Sequence, residues 1–440
     1  LSLSPELVDQ GELFSGPQFD LSFSIRSRRV TAAMQLDDFA VFSGRPHAVG
    51  SADGFQSWWR SFLVNKQDSH RGEGRPIRVL DLFSSVGGLT LGLNEALRVM
   101  GRGIEVVAGV DVDGDALASF SHNHNPNAVI HDSVASLVDM RVSGRGIGAR
   151  FTYEPEARGA LAQLSSTPDV IVAGPPCQGH STLNNHTRGD DPKNRLYLTV
   201  PAIAVALGVP VVVIENVPNV VNDKQGVVAS AENLLRTAGY HVTSATLAAH
   251  KLGWAQTRKR FFMVAMKDAY PIELPWLKEA LARTPAPVEW AIGDLEDALD
   301  PVDIMLGQPD LSPENRDRIA YLFETENHNL PLENRPECHR DGTTYTAVYG
   351  RMRSGVPAPT ITTGFVTPGR GRFIHPTRPR VLTPREAARI QGFPDWFRFV
   401  PASGGQPSRA MLAKWIGDAV PPVLGFVAGL SAAPAIMRMD

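Results

Sequence analysis

From Ile77 onward the chain alternates between short, dense apolar runs and longer amphipathic stretches. IRVLDLF (77–83) leads through a Gly-containing turn into the helical pattern LTLGLNEALRVM. EVVAGVDVD (105–113), AVIHD (128–132), DVIVAGPP (169–176), PVVVIENV (210–217) and FFMVAM (261–266) repeat the apolar theme. Runs this rich in Val and Ile suit strands buried on both faces, and the segments between them suit helices. The pattern predicts an α/β fold, a doubly wound and mostly parallel sheet with helices on both faces. In such sheets ligands bind at the carboxyl ends of the strands.

The periodicity fades beyond this region. Residues 268–375 are rich in Pro, Gly and charge, with β-like pieces at TTYTAVY (343–349) and APTITT (358–363), and read as a smaller, irregular domain. PRVLTPREAARIQGF (379–393) reads as a turn and then a helix, with Thr383 as N-cap, Pro384 at the first position and Glu386 closing a capping box. AMLAKWIGDAVPPVLGFVAGL (410–430) reads as a loop followed by an apolar helix. Ahead of the sheet, Phe55, Trp58, Trp59 and Phe62 are spaced for one face of a helix packed on the main domain. The division expected is 1–75 as an N-terminal extension, 76–266 as the main domain, 267–375 as the smaller one, 376–409 as a hinge supporting it, and 410–440 as a segment returning to the main domain.

Composition narrows the class. The chain has 440 residues, 43% hydrophobic and 20% charged, with ample material for a large core. No apolar run approaches the roughly 18 residues of a membrane span, and no secretory signal pattern opens the chain. It begins with Leu1, which we read as a processed or trimmed end. Two cysteines, Cys177 and Cys338, fit a reducing cytoplasm and make no zinc-like cluster, so no structural metal is expected. The net charge of −3 hides an asymmetry: residues 268–333 hold 15 acidic and 4 basic side chains, residues 335–389 hold 10 Arg and 3 acidic ones. An all-Arg stretch suits contacts to phosphates and guanine edges, although an acidic neighbour could equally balance it as a solvated surface.

The sharpest motifs fall at strand ends. In DLFSSVGGLTLGL (81–93), Gly87 and Gly88 allow a tight turn at a helix N-terminus, which suits a nucleotide-type cofactor or simply a close βα connection. Asp111 and Asp113 end the next strand, where a carboxylate can accept from ribose hydroxyls. Phe83 could stack on an adenine or belong to the core, and Asp132 could accept from an exocyclic amine. In GPPCQGHS (174–181) two prolines fix the backbone immediately before Cys177, placing the sulfur at a defined point over the sheet edge. A nucleophilic thiolate there needs nearby positive charge. IENVPNVV (214–221) puts Glu215 at a strand end, where an unpaired carboxylate would be costly to bury. QTRKR (256–260) sets Gln256, Arg258 and Arg260 on one side of an extended segment, able to bind a phosphate or a carbonyl oxygen.

DLFSSVGG, GPPCQGHS, IENV, QTRKR, LTPREAARIQGFP and GDAVPP, in that order, resemble the DNA (cytosine-5) methyltransferase family over residues 76–266 and 376–440. The resemblance implies a class I S-adenosyl-L-methionine-dependent methyltransferase, with S-adenosyl-L-homocysteine as product, a catalytic and cofactor-binding domain at 76–266 and a target-recognition domain at 267–375. It implies Cys177 as the nucleophile at cytosine C6, Glu215 as the group at N3 and the 4-amino group, Arg258 at O2, and Arg260 beside them. It implies a cofactor pocket of Phe83, Gly87, Gly88, Leu89, Asp111, Val112, Asp132, Ser133, Pro175 and Asp418. The base must leave the duplex to reach Cys177, and residues 179–195 resemble the loop that closes over DNA. Gln178, Ser181, Gln256, Arg351, Arg353, Arg370 and Arg372 are the expected contacts to double-stranded DNA. Three positions depart from the family's pattern: Asp418 stands for its usual Asn, Val112 for an aromatic and His180 for a Phe. Asp418 sets a carboxylate beside the methionine end of the cofactor. The expected setting is a monomer in the bacterial cytoplasm or nucleoid, working with a restriction or phage-defence system and no membrane. The tRNA-directed branch of the same fold and a silent DNA-binding module are the alternatives, which the long Arg-rich region and the intact Cys177, Glu215 and Arg258 disfavour.

Overall fold

The structure, a computed structural model, describes residues 54–65, 72, 74–176, 196–340 and 347–439, and the backbone of three N-terminal strands. Those three, Gln10–Gly16, Phe19–Arg26 and Arg29–Gln35, pair antiparallel in sequence order.

The core is a seven-stranded sheet. Its strands are β1 (Ile77–Leu82), β2 (Ile104–Asp111), β3 (Ala128–His131), β4 (Val170–Ala173), β5 (Val211–Asn216), β6 (Tyr240–Ala248) and β7 (Lys259–Lys267). The spatial order is β6-β7-β5-β4-β1-β2-β3. β1 to β5 are mutually parallel. β7 lies between β5 and β6 and runs antiparallel to both. The strands predicted between Ile77 and Met266 are all present. β6 went unread because YHVTSATLA alternates polar and apolar residues, as an edge strand facing solvent on one side does.

Strand alternation divides the core between two faces. Val170, Val172, Val211, Val213 and Phe262 face α1 (Gly54–Val64), α2 (Gly88–Val99) and three later helices. Ile171, Ala173, Val212, Ile214 and Met263 face α4 (Thr199–Leu207) and α5 (Val227–Thr237), while α3 (Gly114–His124) follows β2. The aromatic face of α1 is buried as its spacing predicts, with Phe55, Trp58 and Trp59 inside and Phe62 at the margin.

After β7 the chain forms short helices α6 (Leu274–Ala280), α7 (Val288–Ile292) and α8 (Pro313–Glu324) joined by irregular chain, and α6 packs Leu274 and Leu277 into the core of the sheet. APTITT is not a strand. Ala358 exchanges backbone hydrogen bonds with Ala255 and Thr257, and pairing goes no further. Of TTYTAVY, residues 347–349 form a turn and the rest lies outside the described residues. Helix α9 (Pro384–Gln391) carries the complete capping box at Thr383 and Glu386. The stretch read as a loop is helical: α10 (Arg409–Asp418) is capped by Ser408, and Pro421 and Pro422 separate it from α11 (Pro422–Ser431). Together these helices are long and apolar enough to cross a membrane, but 78% of that window is buried in the protein. α11 lies against α2 at glycine distance. A Cβ on Gly92 would stand 2.2 Å from Pro422 O, and one on Gly429 2.7 Å from the Cβ of Ala96.

Candidate functional site

The reversal of β7 assembles the site. In a parallel sheet the segment preceding a strand lies at the opposite edge from the segment that follows its neighbour. Because β7 is antiparallel, its start pairs with the end of β5, with Glu215 opposite Phe262 and Asn216 opposite Phe261. Arg258 and Arg260 therefore reach the carboxyl edge where Glu215 sits. Arg260 Nε lies 2.8 Å from Glu215 Oε1. Burial raises the Glu215 carboxyl's pKa, and Arg260 and Arg258 pull it back. Arg258 is 2% exposed; its Nη1 donates to Ile361 O at 2.7 Å and its Nη2 to Asp418 O at 3.4 Å. The arginine is thus fixed between Ile361 and the end of α10.

Asn216 ends the same strand as Glu215, and its motif alone suggested no role for it. It is 2% exposed, and its Nδ2 donates to Pro175 O at 3.2 Å while its Oδ1 accepts from Val217 N–H at 2.8 Å. It ties the end of β5 to the proline turn after β4, two residues before Cys177. The signal was its place beside Glu215 in an otherwise apolar strand. Cys177, Gln178, His180 and Ser181, with the loop 179–195, lie outside the described residues.

The turn after β1 is strained and shaped. Phe83 and Ser85 have φ of 58° and 48°, a region that costs a non-Gly residue about 1 kcal/mol or more. Asp111 holds this turn: its Oδ2 accepts from Ser85 N–H at 2.8 Å and its Oδ1 from Asp113 N–H at 2.9 Å. Each oxygen keeps a further lone pair for another donor. Gly87 has φ 89°, and a Cβ there would stand 2.2 Å from Nε2 of His124; a Cβ on Gly88 would stand 2.6 Å from Val420 O. Protein packing alone therefore requires both glycines. Burial lowers the His124 pKa to about 4, so the ring is neutral. No side chain caps the first turn of α2, where Leu89 is buried, and the buried Ser84 Oγ has no hydrogen-bond partner.

Val112 is 68% exposed beside this turn. Asp132 is exposed and its Oδ1 accepts from Ser133 N–H at 2.6 Å. Asp113 is the N-cap of α3 and pairs with Lys414 Nζ at 2.6 Å. Asp418, four residues on from Lys414, keeps an exposed edge while protein around its carboxyl displaces water and raises its pKa, and Lys414, Arg258 and Arg260 oppose that rise. Its carboxylate is thus set among three cations, a compensation that the substitution alone did not reveal.

Several expected DNA contacts have internal roles. Gln256 is fully buried, its Nε2 donating to Ile390 O at 2.9 Å and Gln391 Oε1 at 3.0 Å and its Oε1 accepting from Ile361 N–H at 3.1 Å. It ties the segment before β7 to α9 and to Ile361 and faces no surface, so the expected DNA contact is set aside. Arg351 stacks on Phe323, 3.9 Å from the ring centroid, and donates to Pro376 O at 2.9 Å. Arg372 donates to His328 O, Arg351 O and Asn329 Oδ1. Of the four arginines expected to read DNA, Arg353 and Arg370 are the exposed pair.

The profile of the C-5 cytosine-specific DNA methylase family matches residues 77–429. The chain is 39% identical over 356 residues to the Type II methyltransferase M1.BsuMI of Bacillus subtilis (strain 168), a match covering 80% of each protein. It is 30% identical over 358 residues to the Type II methylase M.HgiDII of Herpetosiphon aurantiacus, covering 79% of this chain and 93% of that one. Among solved structures, the S. pombe Dnmt2 methyltransferase matches with a TM-score of 0.55 at 16% identity, over 82% of this chain and 100% of that one, a likeness of fold alone.

Proposed function

The chain belongs to the C-5 cytosine-specific DNA methylase family, and on that premise we propose that it methylates C5 of a flipped-out cytosine in a specific duplex DNA sequence, through a covalent bond from Cys177 to C6. The observation that carries the residue roles is the meeting of Glu215, Arg258 and Arg260 at the sheet edge where Asn216 holds Pro175.

Once the base has left the duplex, Glu215 faces N3 and the 4-amino group, and Arg260, paired with Glu215, is the arginine placed for O2, because Arg258, expected there from the motif, is buried and bound to Ile361 O. The raised pKa of Glu215 suits a carboxyl that gives its proton to N3 as the Cys177 thiolate adds to C6. Arg260 is placed to stabilise the carboxylate that this transfer leaves. The electron pair released to C5 takes the methyl group. S-adenosyl-L-methionine, when bound, supplies that group as an electrophile and leaves as S-adenosyl-L-homocysteine. Loss of the C5 proton to water, departure of Cys177 as its thiolate and return of the N3 proton to Glu215 restore the neutral aromatic ring and the starting carboxyl.

The turn after β1 fits such a cofactor. The partnerless Ser84 hydroxyl and the uncapped start of α2 offer hydrogen-bonding groups, and Asp111 keeps lone pairs for a ribose. Phe83, Gly87, Gly88, Leu89, Val112, Asp132, Ser133, Pro175 and Asp418 would complete the pocket. The Type II relatives support a role in restriction-modification or phage defence, for a monomer acting on bacterial DNA in the cytoplasm or nucleoid.

Duplex DNA carrying 5-fluorocytosine should trap the wild-type protein covalently, because fluorine cannot leave as a proton does. Cys177→Ser should bind DNA and cofactor but transfer no labelled methyl group and form no adduct. Absence of the adduct, under conditions where ordinary DNA is methylated, would sink the Cys177 assignment. Label appearing in tRNA instead of DNA would move the chain to the RNA-directed branch.

A further inference from the structure

Residues 132–168 connect β3 to β4, far more chain than such a crossing needs. They fold into two small hairpins, Val138–Asp139 with Glu156–Ala157 and Val142–Ser143 with Arg150–Phe151. The insertion is pinned to α5: Gly146 N–H donates to Ser230 Oγ at 2.8 Å, and Asn233 Nδ2 to Ala149 O at 2.9 Å. Between it and α5 lies a cavity of about 450 Å³, lined by Arg141, Arg145, Leu198, Gln225 and Val227 among others. Leu198 precedes α4, and Gln225 and Val227 open α5. Helices in this fold start where strands end, so the cavity stands on the same sheet edge as Glu215.

Arg141 and Arg145 are exposed, and neither is held by a carboxylate among the described residues. Their backbones are fixed, Arg141 O accepting from Thr152 N–H at 2.9 Å and Arg145 O from Gly148 N–H at 3.0 Å. The nearby carboxylates are engaged elsewhere. Asp139 pairs with Arg158 and accepts from Tyr153 Oη, and Asp223 accepts from the N–H groups of Gln225 and Val227. Exposed Lys224 adds a third cation to the same edge. Two exposed arginines on a fixed backbone, lining one cavity and with no carboxylate partner among the described residues, match the planar, bidentate chemistry of a phosphate.

We propose that Arg141 and Arg145 bind a backbone phosphate of the duplex, extending the DNA footprint to the α5 side of the base pocket. This rests on the reading of the chain as a DNA methyltransferase. A phosphate contact adds affinity and orientation without sequence information, and is weakened by salt.

The test uses the full chain, with anisotropy titrations of a duplex it methylates and an unrelated duplex over a range of salt. For Arg141→Gln/Arg145→Gln, affinity for both duplexes should fall by about the same factor, roughly 10-fold. The slope of log K against log salt should shrink by about 0.9 for each phosphate that is no longer neutralised. Arg141→Lys/Arg145→Lys should restore part of both, while thermal midpoint and S-adenosyl-L-homocysteine affinity stay unchanged. Unchanged affinity and slope would overturn the proposal, as would a loss confined to the methylated duplex or one that tracks a fallen thermal midpoint. Intact DNA affinity with loss of stabilisation by inorganic phosphate would mean a free-anion site and overturn the DNA assignment. Wild-type protein that binds and methylates no DNA would remove the underlying reading instead.

Discussion

Single residues at this site owe their properties to neighbours far away in sequence. Asp418 is the clearest case. In isolation its carboxylate opposes a cofactor that brings a carboxylate of its own. In place, Lys414 lies one helical turn away and reaches across to Asp113, with Asp111 close by. Burial works against the Lys414 ammonium, but Asp113, Asp418 and Asp111 together hold its pKa above the ordinary lysine value. Lys414 is therefore a positioning residue for an acidic rim. Lys414→Met should weaken S-adenosyl-L-homocysteine binding by about 2- to 5-fold, the scale of an exposed ion pair. The loss should shrink in an Asp418→Asn background, because one of the carboxylates to be balanced is gone. Calorimetric titration of the two single variants and the double variant checks this, and equal losses in both backgrounds would separate Lys414 from Asp418. Gln256 shows the converse: three polar contacts from one buried amide were invisible in QTRKR, where it looked like part of a cationic surface.

Between elements, the join of β1 to α2 carries a titratable link. Asp81 in β1 is 2% exposed, and its Oδ2 accepts from Thr90 Oγ1 at 2.6 Å. Burial pushes its pKa up to about 8, with the Thr90 hydrogen bond opposing. The native state thus holds a proton that the unfolded chain releases near pH 4. The stability this gives is fully present below about pH 4 and is lost as pH rises through 8. His124, lowered by burial to about 4, works the other way: its stability is present above about pH 6.5 and is lost as pH falls towards 4. The two cancel over their common window, leaving Asp81 alone from about 6.5 to 8. Wild-type stability to urea should fall by roughly 2 kcal/mol more than that of Asp81→Asn between pH 6.5 and 8. Parallel slopes for the two proteins would show that Asp81 does not titrate there.

On the scale of the molecule, α1 works as part of the core. Trp59 meets Trp254, Phe426 and Phe62 edge-on at 5.2 to 5.5 Å. Arg60 pairs with Asp294 at 2.6 Å, and Leu63 O accepts from Asp395 N–H. One helix therefore clamps the sheet core, the segment after α7 and the segment after α9. Trp59→Ala should cost about 3–5 kcal/mol, measured by denaturant unfolding; a loss below about 1 kcal/mol would mean that α1 is a detachable appendage.

The charge asymmetry also changes meaning in the folded chain. Arg389 pairs with Asp294 at 2.6 Å and Arg378 with Asp297 at 2.7 Å, so acidic and basic stretches partly neutralise each other. Arg380 is buried against Glu386 at 2.7 Å, and Arg335 is buried as well. The stretch read as a DNA surface is in good part an internal brace, and Arg340, Arg353 and Arg370 are the arginines it leaves exposed. The amino-acid sequence by itself determined the strands, the order of the motifs, the helix of Phe55 to Phe62 and the capping box at Thr383. Those rest on side-chain period and turn chemistry, which act over a few residues. Only the tertiary structure decided that β7 runs antiparallel, that Asn216 holds Pro175, and that Lys414 pairs with Asp113. A strand's direction and a charge's partner are set by contacts among segments distant in sequence, whose free energies add up only when the sheet has closed.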